Sequence, residues 1–386
     1  VNDQSFMARA LQLAQLGLFT TDPNPRVGSV VVRDGTVVGE GVHWRAGAAH
    51  AEVNALTHAG EQARGATVYV TLEPCCHHGR TPPCADALIA AGVARVVVAM
   101  EDPNPRVAGR GLERLRAAGI EVVTGVLEAE VRALNPGFIR RMCGGRPWVR
   151  VKMASSLDGR TAMASGESKW ITGPEARRDV QHWRARAGAI LTGVGTVRAD
   201  DPHLTVRATP AELAADLGIA VDRFPELGTA VIRQPLRVII DSGLQTPVSA
   251  RVLEGDPTLV LTAPDRLDSE RAEALRGVGA RLEAAPVRDD GRLDLAAVLE
   301  RLGALEVNEL HVEAGAGLSG ALARWGLVDE WLFYLAPCLM GSAARPLVDW
   351  PLQRMAERAE LDVFAVDRVG DSLRVRAYPL PAADSV

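Results

Sequence analysis

An α/β protein of two domains is predicted by three features of this 386-residue sequence. The length exceeds what a single hydrophobic core usually supports. Short apolar runs, such as 95–100 and 236–241, alternate with segments of helical period, the mark of a largely parallel sheet covered by helices. The pattern breaks at Cys143-Gly144-Gly145-Arg146-Pro147, which places the boundary between domains 1–145 and 146–386.

In the first half, a helix begins near Asp3, buries Phe6, Ala10, Leu13 and Ala14, and stops at Gly17, read as a left-handed cap. Strands over 28–32 and 36–42 are joined by Asp34-Gly35, a strong hairpin signal. A helix over 52–59 opens just after His50, and a strand over 65–71 follows. Pro74 suits the first turn of a further helix, whose positive end would carry Cys75. Cys84 opens a helix to position 91, followed by the buried strand 95–100, a helix over 111–118, a strand over 120–124 and one helix over 127–141.

The second half opens with the strand 148–154, in which a lysine, Lys152, is unexpected beside Met153. A helix over 174–186 and a strand over 189–192 follow. Segment 208–234 has no clear period and reads as a surface insertion. Strands and helices then alternate through 236–241, 258–262, 269–276, 293–302 and 309–313. Strands near 330–335, 360–366 and 372–378 lack long intervening helices, so the last sheet edge is expected to be antiparallel.

Composition narrows the function classes. A formal net charge of -5 gives no global attraction to nucleic acid or anionic lipid, so neither a nucleic-acid nor a membrane partner is expected. Five cysteines are too few and too oddly placed for a disulfide framework, which suits a reducing compartment. The N-terminus is amphipathic, and no apolar run is long enough to cross a bilayer, so a cytoplasmic protein is expected.

The chemistry concentrates in His50-Ala51-Glu52 and in the stretch from Pro74-Cys75-Cys76-His77-His78-Gly79-Arg80 to Cys84. One imidazole and two thiolates make an open zinc site, because structural zinc sites close all four positions with protein ligands. Water in the fourth position would fall from a pKa of about 15.7 to about 7. Glu52 is then free to carry protons, as in zinc deaminases. A closed site with Cys76, His77 or His78 as fourth ligand would leave Glu52 without a role. Taken singly, His43, His58 and Cys76 read as packing residues. The eight residues between Cys75 and Cys84 form a stiff, positive loop whose Arg80 suits a substrate phosphate.

The hexapeptide Asp-Pro-Asn-Pro-Arg-Val at 22–27 recurs unchanged at 102–107, in a different flanking pattern. Prolines on both sides fix where Asn24 and Asn104 point, which serves either a rigid turn or an amide held toward a ligand.

In the second half, Gly315-Ala316-Gly317-Leu318-Ser319-Gly320 follows a strand and opens a helix, but lies too late in its domain for a Rossmann fingerprint. It suits amides cradling a pyrophosphate in another α/β fold, or a tight packing turn. Thr192-Gly193-Val194-Gly195-Thr196 is a second glycine loop at a strand end. Arg184, Arg198, Asp200, Asp201 and Arg207 cluster nearby in sequence; Arg184 and Arg186 either bind phosphate or line a solvated helix face.

With these residues in place, the chain resembles the bifunctional deaminase–reductase family of riboflavin biosynthesis over nearly its whole length. The resemblance rests on Pro23-Asn24-Pro25, His50-Ala51-Glu52, Thr71-Leu72-Glu73-Pro74-Cys75, Thr81-Pro82-Pro83-Cys84 and Asp102-Pro103-Asn104-Pro105. In the second half it rests on Lys152 to Gly159, Ser168-Lys169-Trp170-Ile171-Thr172, Gly193-Val194-Gly195-Thr196 and Val312-Glu313-Ala314-Gly315. It implies an N-terminal cytidine-deaminase-like α/β/α domain and a C-terminal dihydrofolate-reductase-like α/β domain, with Zn2+ and NADPH as cofactors and a pyrimidine ribotide as substrate.

Carried over by position, His50, Cys75 and Cys84 would bind zinc, with Glu52 as proton shuttle. Ala154, Trp170, Thr196, Asp200, Ser242 and the loop Gly315, Ala316, Gly317, Leu318, Ser319, Gly320, Ala321 would contact NADPH. Asn24, His43, Arg80 and Asn104 would contact the deaminase substrate, and Ser168, Arg184, Leu204, Arg207 and Glu313 the reductase substrate. Asp200 and Lys152 are the candidates for the acid that reduction requires, and a homo-oligomer is expected. Cys76 departs from the family, which usually has serine there, and the insertion at 208–234 is longer than the family pattern.

Overall fold

The computed structural model describes residues 2–76, 83–216, 218 and 232–381. The chain divides into two units, Val1–Gly145 with Thr209–Arg233, and Arg146–Ala208 with Gln234–Val386.

In the first unit, α1 (Asp3–Gln15) is capped by Asn2, whose side chain accepts the Ser5 N–H at 3.1 Å. The helix ends at right-handed Leu16, not on a left-handed Gly17. Gly17 is required for another reason: a Cβ there would lie 2.7 Å from Thr21 Cγ2 and 3.0 Å from the His43 carbonyl. The hairpin of β1 (Gly28–Arg33) and β2 (Thr36–Val42) turns at Asp34 and Gly35, with φ of 50° and 75°, as a type I′ turn demands. Then come α2 (Ala51–Ala59), β3 (Thr67–Leu72), α3 (Cys84–Ala91), β4 (Arg95–Met100), α4 (Arg110–Ala117), β5 (Glu121–Thr124), α5 (Glu128–Leu134) and α6 (Pro136–Gly144). The sheet order is β2-β1-β3-β4-β5, antiparallel through β1 and parallel from β3 to β5.

Glycines fix the layering. A Cβ on Gly28 would meet Ala10 and Ala14 of α1, whereas one on Gly41 would meet Ala51 and Ala55 of α2. Gly28 pairs with Val42 and Gly41 with Ser29, so the two glycines face opposite sides and the sheet lies between the helices. The single helix expected over 127–141 is two, because Pro136 begins α6 without an N–H to continue α5. Buried Asn135 holds the break, accepting the Arg26 N–H at 2.9 Å and donating to the Arg26 carbonyl at 3.0 Å.

The second unit contains β6 (Trp148–Ser156), β7 (Arg160–Ala162), α7 (Pro174–Arg186), β8 (Ala189–Gly193) and α8 (Val194–Asp200). The helix α9 (Pro210–Asp216) belongs to the first unit, where Ala214 joins the core with Leu115 and Val131. Its segment is therefore more than the surface insertion expected over 208–234. After it come β9 (Leu236–Ile240), β10 (Thr258–Thr262), α10 (Glu270–Gly277), β11 (Arg281–Ala284), α11 (Leu295–Ala304), β12 (Glu309–Glu313), α12 (Ala316–Arg324), β13 (Glu330–Ala336), β14 (Arg345–Pro346), β15 (Leu361–Val369) and β16 (Ser372–Pro379). The order β11-β10-β9-β8-β12-β6-β13-β16-β15 is parallel from β11 to β13, and the expected antiparallel edge is formed by β16 and β15.

Strand β6 explains its own lysine. Val149, Val151 and Met153 face one apolar core, while Arg150, Lys152 and Ala154 alternate onto the other side. There, fully buried Arg150 pairs with Glu309 at 2.9 Å and Glu330 at 2.8 Å, and the Trp183 ring lies 4.7 Å from its guanidinium. Arg184 and Arg186 do not line a solvated helix face. Arg186 closes on Glu309 at 2.8 Å, and Arg184 on Glu313 at 2.5 Å.

Candidate active sites

His50 is the N-cap residue of α2 and Glu52 lies in the first turn of the same helix, so residues two apart in sequence reach one place from a cap and a turn. Cys75 follows β3 and Cys84 begins α3. The helix expected at Pro74 does not form over 73–76. The positive end that Cys75 meets is that of α3, through the Cys84 N–H, which donates to Cys75 Sγ at 3.3 Å. His77, His78 and Arg80 lie outside the described residues.

His50 Nδ1 stands 3.1 Å from Cys84 Sγ and 3.7 Å from Cys75 Sγ, and the three donor atoms all lie within 4.8 Å of one another. Zinc bonds of about 2.0 Å to nitrogen and 2.3 Å to sulfur, at a tetrahedral angle, require an N···S edge of about 3.6 Å. The spacing and the imidazole–thiolate donor set therefore fit zinc. Cys76 is not part of this group. Hydrogen bonds from the Cys84 thiol, His50 and the Cys84 N–H hold the Cys75 thiol at about 4 against burial, while hydrogen bonding to Cys75 and burial push Cys84 up. Glu52 is 3% exposed, and burial raises its carboxyl to about 7 against the pull of His50.

His43, a packing residue by sequence alone, connects Asn24 to this centre. Its Nδ1 lies 3.1 Å from the Ala49 carbonyl, which can only accept, so Nδ1 carries the hydrogen and Nε2 accepts from Asn24 Nδ2 at 3.0 Å. Burial lowers the His43 pKa and keeps the ring neutral. The ring meets His50 edge-on, with centroids 5.2 Å apart. Asn104 lies in the loop after β4, where its Oδ1 accepts the Arg106 N–H at 3.1 Å and its own N–H donates to Asp102 at 2.8 Å.

In the second unit the candidates gather at the carboxyl ends of the parallel strands, where open sheets bind ligands. Glu313 and Lys152 are register partners on β12 and β6. Arg184 grips Glu313 with two bonds, at 2.5 and 3.0 Å, and donates to the Thr205 carbonyl at 3.0 Å. Burial pushes the Glu313 carboxyl up, but Arg184, His311 and Lys152 hold it well below the usual range. Burial lowers the Lys152 pKa, and Glu313 opposes this. Leu204 is buried with a left-handed φ of 53°, and the Arg207 N–H donates to Gln181 at 2.8 Å, so both flank Thr205, whose carbonyl Arg184 holds. His311 was not legible in sequence: no motif marks it, and only its place two residues before Glu313 on the same strand face puts its Nε2 3.4 Å from that carboxylate.

The two glycine loops meet, since the Gly315 N–H donates to Thr196 Oγ1 at 3.2 Å. A Cβ on Gly317 would meet nothing within 4 Å, leaving the start of α12 open for a phosphate. Gly320 differs. A Cβ there would lie 2.1 Å from the Asp349 carbonyl, so packing demands that glycine, and Ser319 beside it is fully buried. Ala316 and Leu318 are half-buried, and Ala321 packs on the core. Ala154 shares the Lys152 face. The Ser242 carbonyl accepts from Thr262 Oγ1 at 3.3 Å, and the side chain of Asp200, the last residue of α8, makes no hydrogen bond or ion pair among the described residues. Trp170 is 72% exposed, with the Arg177 guanidinium 4.4 Å from its ring. No described contact ties Ser168 or Trp170 to the Glu313 cluster. The open glycine loops beside a fixed arginine–glutamate pair fit NADPH and an anionic substrate.

Residues 1–100 match the cytidine and deoxycytidylate deaminase zinc-binding region, and residues 147–369 match the RibD C-terminal domain. The riboflavin biosynthesis protein RibD of Escherichia coli K12 is 51% identical over 373 residues, 96% of this chain and 97% of that protein. The chain belongs to the RibD family. RibD of Acinetobacter baumannii superposes with a TM-score of 0.87 at 45% identity, covering 98% of this chain and 99% of that one. A diaminohydroxyphosphoribosylaminopyrimidine deaminase/5-amino-6-(5-phosphoribosylamino)uracil reductase from Thermotoga maritima gives 0.81 at 33%, with the same coverage. Like its RibD relatives, the chain is a bifunctional riboflavin-biosynthesis enzyme, with a zinc-binding deaminase domain and a reductase domain of the type that uses NADPH. Among the described residues no helix is long and apolar enough to cross a membrane.

Proposed function

We propose that the chain deaminates 2,5-diamino-6-(5-phosphoribosylamino)pyrimidin-4-one in the domain that holds His50, Cys75 and Cys84, and then reduces the ribosyl side chain of the product to ribityl in the domain that holds Arg184 and Glu313. The observation that carries the reading is the convergence of His50, Cys75 and Cys84 beside buried Glu52, in a chain that also carries the Arg184–Glu313 site.

His50, Cys75 and Cys84 would hold zinc, which when bound supplies the Lewis acid that activates water at neutral pH. Glu52, poised near neutrality by burial, takes a proton at its carboxylate and returns it to the departing 2-amino group. The amide of Asn24, aimed by His43, and that of Asn104 orient the pyrimidine, and Arg80 holds its phosphate.

In the second site Ala154, Trp170, Thr196, Asp200, Ser242 and the loop opening at Gly315 would hold NADPH, which when bound supplies the hydride. Ser168, Arg184, Leu204, Arg207 and Glu313 bind the ribotide. Lys152, with Asp200 as the alternative, protonates the sugar as its ring opens. Lys152 is favoured because it lies beside Glu313 and burial makes it a readier acid. A homo-oligomer in a cytoplasmic setting completes the proposal.

The test supplies the pure chain with the diaminopyrimidine ribotide. Ammonia released without NADPH, and NADPH consumed once it is added, supports both halves. No turnover in either arm overturns the assignment.

A further inference from the structure

We infer that Glu73 is a positioning residue of the deaminase site, setting substrate binding through the loop that carries Asn104. The inference rests on the reading of Asn104 as a substrate contact.

Glu73 is 3% exposed and lies between the end of β3 and Cys75. One carboxylate oxygen accepts the N–H groups of Asp102 at 3.1 Å and Gly109 at 2.9 Å. The other accepts those of Gly111 at 2.8 Å and Leu112 at 3.4 Å, at the start of α4. A single side chain thus clamps both ends of the loop that carries Asn104, while its own N–H donates to the Met100 carbonyl at 3.0 Å.

The loop is shaped around this carboxylate. Gly109 has a φ of 80°, which favours glycine, and a Cβ on Gly111 would lie 2.0 Å from the Pro74 carbonyl and 3.1 Å from Glu73 Oε1. From the clamp the order passes inward. Asp102 is fixed by Glu73, Asp102 Oδ1 takes the Asn104 N–H at 2.8 Å, and Asn104 Oδ1 takes the Arg106 N–H at 3.1 Å. That leaves the Asn104 side-chain NH2 without a hydrogen bond among the described residues, a donor available to a ligand on a loop held at both ends. The Glu73 carboxylate spends its hydrogen bonds on four backbone N–H groups and makes none to His50, Cys75 or Cys84, so its effect is on where the loop sits.

The test is steady-state deamination of the diaminopyrimidine ribotide by the full chain carrying Glu73→Gln, Asn104→Ala, or both. Zinc content and NADPH oxidation on the deaminated ribotide serve as internal controls. The Gln variant turns an NH2 group toward N–H donors that need an acceptor. It should raise KM by about tenfold or more while zinc content and reductase rate hold, and the double variant should be no worse than the poorer single one.

A wild-type KM in Glu73→Gln overturns the inference, as do effects of the two substitutions that multiply independently. A silent Asn104→Ala removes the Asn104 contact and the inference with it, while wild-type ammonia release still upholds the function; no release from the wild-type chain overturns the function itself. Should Glu73→Gln lose both activities, Glu73→Asp decides. Its shorter carboxylate cannot span both pairs of N–H groups, so a raised KM supports the inference and an unchanged one overturns it.

Discussion

His50 Nδ1 lies 3.1 Å from Cys84 Sγ although 34 positions separate the two residues. A helix cap and a helix start, on the same side of one sheet, bring them together. The deaminase half of the account depends on that meeting and on Glu52, two residues after His50 in the first turn of α2.

In the proposed mechanism Glu52 would carry protons without holding the metal. Glu52→Gln keeps the shape and loses the proton, so ammonia release should fall by about 10^2- to 10^4-fold. Zinc content, measured by atomic absorption, and NADPH oxidation on the deaminated ribotide should stay at wild-type values. Loss of zinc in this variant would make Glu52 a ligand instead.

The first unit has its own apolar core, in which Val30, Val68, Leu88, Val97 and Leu115 are fully buried. Chelation should therefore abolish ammonia release while far-UV circular dichroism changes little. Unfolding on chelation would instead mark a structural zinc site.

The acid of the reductase half separates by substitution. Lys152→Met should cut single-turnover NADPH oxidation by about a hundredfold or more, and Asp200→Asn by clearly less. The reverse ranking assigns the proton to Asp200, and full rates in both remove the pair from that role.

Stability at low pH reports the buried ion network. Burial pushes the Glu330 carboxyl up, but Arg150 and Arg376 hold it at about 2, below its ordinary 4.5. The folded group binds its proton less readily than the unfolded one. Its contribution is thus complete above about pH 4.5 and is lost as pH falls toward 2. Glu330→Gln leaves Arg150 short of a counter-charge and should cost about 3–5 kcal/mol at neutral pH, while flattening the acid limb of the urea midpoint read by tryptophan fluorescence. An acid limb as steep as the wild type's would contradict this.

Much of the fold was legible because local chemistry and tertiary structure agree. Asp34-Gly35 turns where a hairpin needs two positive φ values, and 95–100 is a buried strand because every residue after Arg95 is apolar. Pro136 was a visible break inside a helical pattern, yet its consequence depends on Asn135 bonding to Arg26, 109 positions away. Pro74 starts no helix in the described residues, and the helix end that Cys75 meets is that of α3, through the Cys84 N–H. The zinc donors could be named from residue type and spacing. The charges between α7 and the sheet could not, since Arg150 and Arg184 are buried, and Arg186 half-buried, only by strands that come together from distant parts of the chain. Glu73 stood in plain view beside Cys75, but its four N–H partners come from beyond position 101.

The central claim is that one chain performs both reactions on one ribotide, deamination first. Mass spectrometry of the product formed from the diaminopyrimidine ribotide with NADPH tests this most directly. The account predicts a product with oxygen in place of one amino group and two added hydrogens, preceded by a transient with the exchange alone. A product with two added hydrogens and both amino groups retained would contradict it.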